Sequence, residues 1–299
     1  MCIKRKYANY YFAYAEVSSH YIKIKKRHRN MEKTMNEYNV DKIVRFLTKY
    51  KDNLSNLYKW SVKIDKLFDL GALTKEEIEA LNKKSPYEKE LVLKKTIQIK
   101  LNEFNSTNRT AFEKLCLWII KDWGGINGVD DSSTLELIQE FLSKTEPSFN
   151  RIASTSKIGS FMFPEKYFIY DSRVAYALNW IILSENAGNR FFPIPEGRNS
   201  KMLAFDMNVL IRLKNIDLYK SSEIERLDNR LYIKNKDKVT YVSTKKAYSE
   251  MSRLIQTISR QLWTDEKSEV LYYTEMLLFS IADREIFNDI TDRIRIEIK

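Results

Sequence analysis

Residues 167–180, YFIYDSRVAYALNW, set a single aspartate between two kinds of chain. Before it, Tyr167, Phe168, Ile169 and Tyr170 form a short apolar and aromatic run that reads as extended. After it, Val174, Ala177, Leu178 and Ile181 recur at the spacing of one helix face. Asp171 therefore stands where a helix N-cap belongs. There a carboxylate accepts hydrogen bonds from first-turn N–H groups and is favoured by the helix dipole, so it stays ionised at a fixed position. The same placement suits a cap and a catalyst, and the residue alone leaves both open.

The surrounding chain is 299 residues long, 43% apolar, with only 7 glycines and 5 prolines. That composition supports a sizeable core and argues against a sandwich, a barrel or a Gly-rich nucleotide-binding sheet. It predicts a mostly α, two-lobed helical body with at most a small β-hairpin over residues 230–248, RLYIKNKDKVTYVSTKKAY. The expected segments are a basic, poorly ordered extension over 1–30, an N-terminal helical segment over 31–105, a helical core over 106–215 and a C-terminal helical segment over 216–299. Within them, one long helix runs from Val40 to Leu70 and stops at Gly71. Thr74 and Glu77 form a capping box, Pro86 opens a third helix, and Ser132 or Ser133 caps the helix before Glu146.

The net charge is +11, of which residues 1–30 supply +7 (eight Lys/Arg against one acid), leaving +4 elsewhere. Such a chain is attracted to polyanions, nucleic acid first, because Lys and Arg displace condensed counterions from phosphates. Cys2 and Cys116 are too few for a disulfide framework or a four-thiolate metal site and fit a reducing cytoplasm. The only histidines are His20 and His28, so beyond residue 30 there is no His for a triad, a metal site or a general base. No stretch reads as membrane-spanning. Pro-Glu-Lys at 164–166 and Asp-Glu-Lys at 265–267 lack the acidic partner of a nuclease strand, and no phosphate-binding glycine loop occurs. No metal or cofactor is expected.

Upstream of Asp171 lies a helix carrying Arg151, Ser154, Ser156 and Lys157, joined to it by the turn IGSFMFPEKYFIY. A lysine-bearing helix, a Pro-containing turn, a few apolar residues and then Asp-x-x-Val opening a helix resembles the helix-hairpin-helix DNA glycosylase superfamily. Asp171 in FIYDSRV matches that family's aspartate, and Lys157 is a looser match to its lysine. The family's Leu-Pro-Gly-x-Gly hairpin is replaced here by ASTSK, the Lys157 to Asp171 separation of 14 is short for the family, and its four-cysteine cluster loop is absent. The likeness covers about 110 residues. Prokaryotic antiviral glycosylases that remove glucosylated hydroxymethylcytosine from phage DNA are a closer match.

The resemblance implies a cytoplasmic enzyme acting on double-stranded DNA with a modified base, with no obligate protein partner. Asp171 would stabilise positive charge on the deoxyribose or activate water, and Lys157 would face the sugar. A flipped base needs an aromatic pocket, for which Trp123, Tyr170, Phe191 and Phe192 are candidates. Arg151, Ser154, Ser156, Arg173, Arg190, Arg198, Asn199 and Lys201 are candidates for holding the DNA. The competing expectation is a non-catalytic nucleic-acid-binding or protein-interaction module. In it Asp171 is only a cap, Lys157 is a phosphate-binding or solvated lysine, and the aromatics are core.

Overall fold

The computed structural model describes residues 37–196, 200–216 and 240–295. The protein is mostly helical, and among the described residues the only β-type pairings are isolated bridges between Tyr38 and Gly188 and between Phe191 and Tyr241. Residues 230–239 of the expected hairpin lie outside the described residues, as does the extension at 1–30, and its last part is not strand: residues 244–248 begin a helix whose Ala247 and Tyr248 are buried.

The chain opens with α1 (Val40–Lys51), capped by the Asn39 side chain, and a short α2 (Leu54–Leu57). The expected long helix stops here. Tyr58–Ile64 is irregular, and helix resumes as a single turn, α3 (Lys66–Asp69). Burial explains the break: Tyr58 and Ile64 are buried while Lys59, Ser61 and Lys63 are exposed, an alternation that a helical path cannot provide. α4 (Lys75–Asn82) carries the Thr74–Glu77 capping box, and α5 (Pro86–Thr107) a second box between Ser85 and Glu88. α6 (Arg109–Trp118) passes into a π-helical turn over Ile119–Trp123. α7 (Asp131–Ser143) is capped by Asp130, in place of the expected serines, because its carboxylate accepts from both the amide and the hydroxyl of Ser133.

α8 (Ile152–Met162) is followed by the apolar stretch through Tyr170 and by α9 (Ser172–Ser184), whose residues 174–183 are all buried. α10 (Ser200–Ala204) and α11 (Met207–Lys214) follow. Asp206 separates them by capping α11. The remainder comprises α12 (Thr244–Leu262), α13 (Glu266–Glu269), α14 (Tyr272–Ile281) and α15 (Glu285–Arg293).

Two hydrophobic cores organise these helices. The larger joins α1, α9, α12 and α14, with Ile43, Leu47, Leu178, Ile181, Ile255 and Leu278 fully buried. The second joins α5, α6, the π turn and α8 through Ile97, Leu101, Leu115, Ile120, Ile158 and Phe161. Residues 31–105 thus contribute to both, α1 to one and α5 to the other. Between α8 and α9 the chain crosses from the second core to the first. Asp171 lies on the far side of that crossing.

Candidate active site

Side chains from five elements converge at the seam between the cores. Tyr58, Trp60, Trp123, Gly124, Lys157, Ile169, Asp171, Glu275 and Phe279 line a small cavity of about 60 Å³. Its position follows from how the crossing is fixed. The Tyr170 amide donates to Ser156 Oγ at 3.1 Å, the Tyr170 hydroxyl donates to the Pro193 carbonyl at 2.7 Å, and the Tyr248 hydroxyl donates to the Phe168 carbonyl at 3.0 Å. With the preceding residues held in this way, Asp171 enters α9 in extended conformation and accepts the Val174 amide at 2.9 Å.

The π turn positions the opposite wall. Its widened hydrogen bonds, Gly124 N–H to the Ile119 carbonyl at 2.9 Å and Ile126 N–H to that of Ile120 at 3.1 Å, bring Trp123 and Gly124 to the cavity. Trp123 donates its indole N–H to Glu90 at 3.1 Å, and its carbonyl accepts the indole N–H of Trp60. At Gly124 a Cβ would stand 2.8 Å from Lys157 Cε, so glycine is what lets the lysine stem pass. Trp60 and Phe279 meet edge to face, with centroids 5.9 Å apart at 86°. Beyond this pair lies a wider cleft of about 400 Å³, where Lys59, Arg173 and Arg284 stand with Asp283 and Glu285.

The charge arrangement is unusual for a protein interior. Lys157, 6% exposed, donates to the Ala153 carbonyl of its own helix and faces Asp171 and Glu275. Lys94 lies 3.6 Å from Glu90 and 4.0 Å from Glu275, over the rings of Phe161, Trp123 and Tyr272. Loss of water pushes the Lys157 ammonium below the usual lysine range, while the two facing carboxyls act against that shift. Burial raises the Asp171 carboxyl, opposed by Lys157 and by the amides at the start of α9. Burial also raises Glu275, to about 8. Lys94 opposes this, and the like charges of Asp171 and Glu90 add to it. Desolvated groups with specific charge partners in a cleft are the hallmark of a reactive site, although buried ion networks share it.

Of the residues expected from the sequence, Asp171, Lys157 and Trp123 meet at this cavity, and Arg173 borders the outer cleft, paired with Asp283 at 3.2 Å and stacked over Phe279. The others sit elsewhere. Tyr170 and Phe192 are fully buried, and Phe191 nearly so; Phe192 stacks on Tyr38, and Phe191 bridges to Tyr241. They are core rather than pocket, because the Pro-containing loop that carries them folds inward over α9, where Asn179 holds the Phe192 backbone through both its N–H and its carbonyl. Ser154 and Ser156 are buried; Ser156 serves the Tyr170 backbone. Arg190 is bound to Glu37 and Glu250, and Arg151, in left-handed backbone, faces Asp130. Arg198 and Asn199 lie outside the described residues, as does the side chain of Lys201. Tyr58, Trp60, Glu90, Lys94, Glu275 and Phe279 were not expected at a site. The i, i+4 pair of Glu90 and Lys94 was the one signal visible in sequence.

Among the described residues no cluster of three or more His, Cys, Asp or Glu side chains is arranged to hold a metal ion, and no helix is long and apolar enough to cross a membrane. No family model, curated protein or solved structure matches the chain.

Proposed function

We propose that the protein is a cytoplasmic, monofunctional DNA glycosylase that excises a modified base, with the cavity at the seam as its active site. The observation that carries this is the meeting of Asp171 and Lys157 at one aromatic-walled cavity, although they stand 14 positions apart in the chain. Cleaving an N-glycosidic bond builds positive charge on the deoxyribose. A carboxylate fixed at a helix N-terminus stabilises that charge and accepts a proton from the attacking water. Lys157 and the first-turn amides of α9 oppose the rise that burial imposes on the Asp171 carboxyl. No cofactor enters this scheme.

Size sets a condition on substrate entry. Ligand pockets run to roughly 300–1,000 Å³, so a cavity of about 60 Å³ admits a base only when its mouth opens. Trp60 is the wall taken to swing aside: it belongs to the irregular Tyr58–Ile64 stretch rather than to a helix, and its movement breaks the indole N–H bond to the Trp123 carbonyl. An extruded base would then enter past Trp60 and Phe279, with its sugar at the cavity mouth against Asp171 and the flanking phosphates in the outer cleft beside Lys59, Arg173 and Arg284. Glucosylated hydroxymethylcytosine of phage DNA is the proposed substrate, in antiviral defence.

Base release is measured on duplex oligonucleotides carrying normal, damaged and phage-modified bases. Wild-type protein is expected to generate alkali-labile sites in the modified duplex and the Asp171→Asn variant to lose them. If Asp171→Asn stays folded and fully active, Asp171 is only a cap. Borohydride trapping checks the Lys157 assignment: a covalent adduct lost in Lys157→Ala would make the enzyme a lyase instead.

A further inference from the structure

Resting on the glycosylase reading above, we infer that Glu275 is the proton donor to the departing base. Its carboxyl shares the cavity with Asp171 and Lys157 and transfers its proton to an acceptor atom of the base as the glycosidic bond breaks.

Two ammonium groups, Lys94 and Lys157, stand in one cluster with three carboxyls, the buried Glu90 and Glu275 and the half-buried Asp171. A cluster removed from water is stable only near neutrality, so one carboxyl must carry a proton. Lys94 is closer to Glu90, at 3.6 Å, than to Glu275, at 4.0 Å, and Glu90 also receives the Trp123 indole N–H. Asp171 faces Lys157 and accepts the amides at the start of α9. Glu275 has the least compensation. It is 4% exposed and accepts the Ile169 amide; one oxygen of each glutamate lacks a hydrogen-bond partner, but Glu90 is also bonded by Tyr58 and Trp123. The surrounding groups are Lys94 and Glu90 from α5, Lys157 from α8, Asp171 at the head of α9, Tyr58 from the irregular stretch and Tyr248 from α12. Burial, with the like charges of Asp171 and Glu90 and against Lys94 and the Ile169 amide, raises this carboxyl to about 8. Acid and carboxylate poised apart in one cavity is the pattern of paired acid–base catalysis.

The step balances. The C1′–N bond breaks and its electron pair leaves with the base, which takes the Glu275 proton. Water adds to C1′ and gives its proton to Asp171. The products are the free base and a sugar hydroxyl, with one proton moved from Glu275 to Asp171 and returned between turnovers. The substrate class is accordingly a neutral base with an exposed ring nitrogen or carbonyl oxygen, whose departure as an anion would be slow.

Two measurements test this. Infrared difference spectra of wild type against Glu275→Gln should show a protonated-carboxyl band at pH 7 that titrates away near pH 8; absence of the band overturns the assignment. Single-turnover release of a neutral modified base should fall above about pH 8 in wild type. In Glu275→Gln it should be slower by roughly 10²–10⁴-fold, without that alkaline limb. A variant as fast as wild type overturns the donor role. If the variant fails to fold, a wild-type rate that stays level from pH 7 to well above pH 8 overturns it instead. Wild-type protein that shows the band but releases no base from any duplex overturns the glycosylase reading, and the donor role falls with it.

Discussion

Replacing Gly124 with alanine is a direct probe of how the fold holds Lys157 at the cavity. A Cβ there would lie 2.7 Å from the Ile120 carbonyl, 3.0 Å from that of Ile119 and 2.8 Å from Lys157 Cε, all closer than the 3.4 Å at which ordinary contact begins. The two oxygens cannot yield easily, because they accept the amides of Ile126 and Gly124 that define the π turn. The lysine stem must therefore shift as well. Overpacking of this kind costs about 1–3 kcal/mol, and the entropy lost by the unfolded chain returns at most about 1 kcal/mol. Thermal unfolding should drop by roughly 2–4 °C for each net kcal/mol. A displaced Lys157 no longer neutralises Asp171, so base release should fall by about 10²-fold, the effect of an ångström-scale misplacement. Gly71→Ala is the control. No atom lies within 4 Å of its added Cβ, but its φ of +67° makes any side chain costly by about 1–2 kcal/mol, far from the cavity. Calorimetry and base release on both variants decide the matter: a Gly124→Ala protein no less active than Gly71→Ala at matched stability would refute the steric account.

Three further outcomes are expected. Lys94→Met should destabilise the protein by about 3–5 kcal/mol in denaturant titration, because Glu90 would be left buried without its nearest cation; a neutral outcome would show the cluster to be water-filled. Asp171→Ala should be less stable than Asp171→Asn by about 1 kcal/mol, because it loses the cap to Val174 in addition to the charge facing Lys157 that both variants lose; equal losses would contradict the capping geometry. Glu275 is raised above its ordinary value of 4.5 in the folded state, so its contribution to stability is fully present below about pH 4.5 and is lost as pH rises through about 8. Between those limits Glu275→Gln should flatten the pH dependence of the unfolding free energy, by an amount on the order of a few kcal/mol; identical wild-type and variant profiles would show Glu275 to be ionised throughout.

The half of the site that is written locally could be read from the sequence. Asp171 announces itself by the change from extended aromatic chain to helical spacing, and α9 begins where that change falls. The mostly helical fold follows in the same way from few glycines and repeated amphipathic runs. The other half depends on tertiary packing and leaves no local mark. Tyr58–Ile64 sits within a run of helix-favouring residues, yet it is drawn out of helix because Tyr58 and Ile64 bury in different cores. Glu275 lies in YYTEMLLFSI, which reads as an ordinary buried helix, and only the approach of α5 and α8 makes its carboxyl a charged neighbour of Asp171. Glu90 and Lys94 have the spacing of a common surface pair but are buried, because α5 runs through the second core. Phe191 and Phe192 mislead in the opposite direction: a loop rich in turn residues suggests exposure, but its aromatics complete the larger core.

The central claim is that Asp171 acts on a glycosidic bond rather than merely capping α9. It is tested most directly by the amount of free base released from glucosylated-hydroxymethylcytosine duplex by wild type and by Asp171→Asn at equal folded concentration. The account predicts release by wild type and a loss of at least about 10²-fold in the variant. Equal release by the two proteins would contradict it.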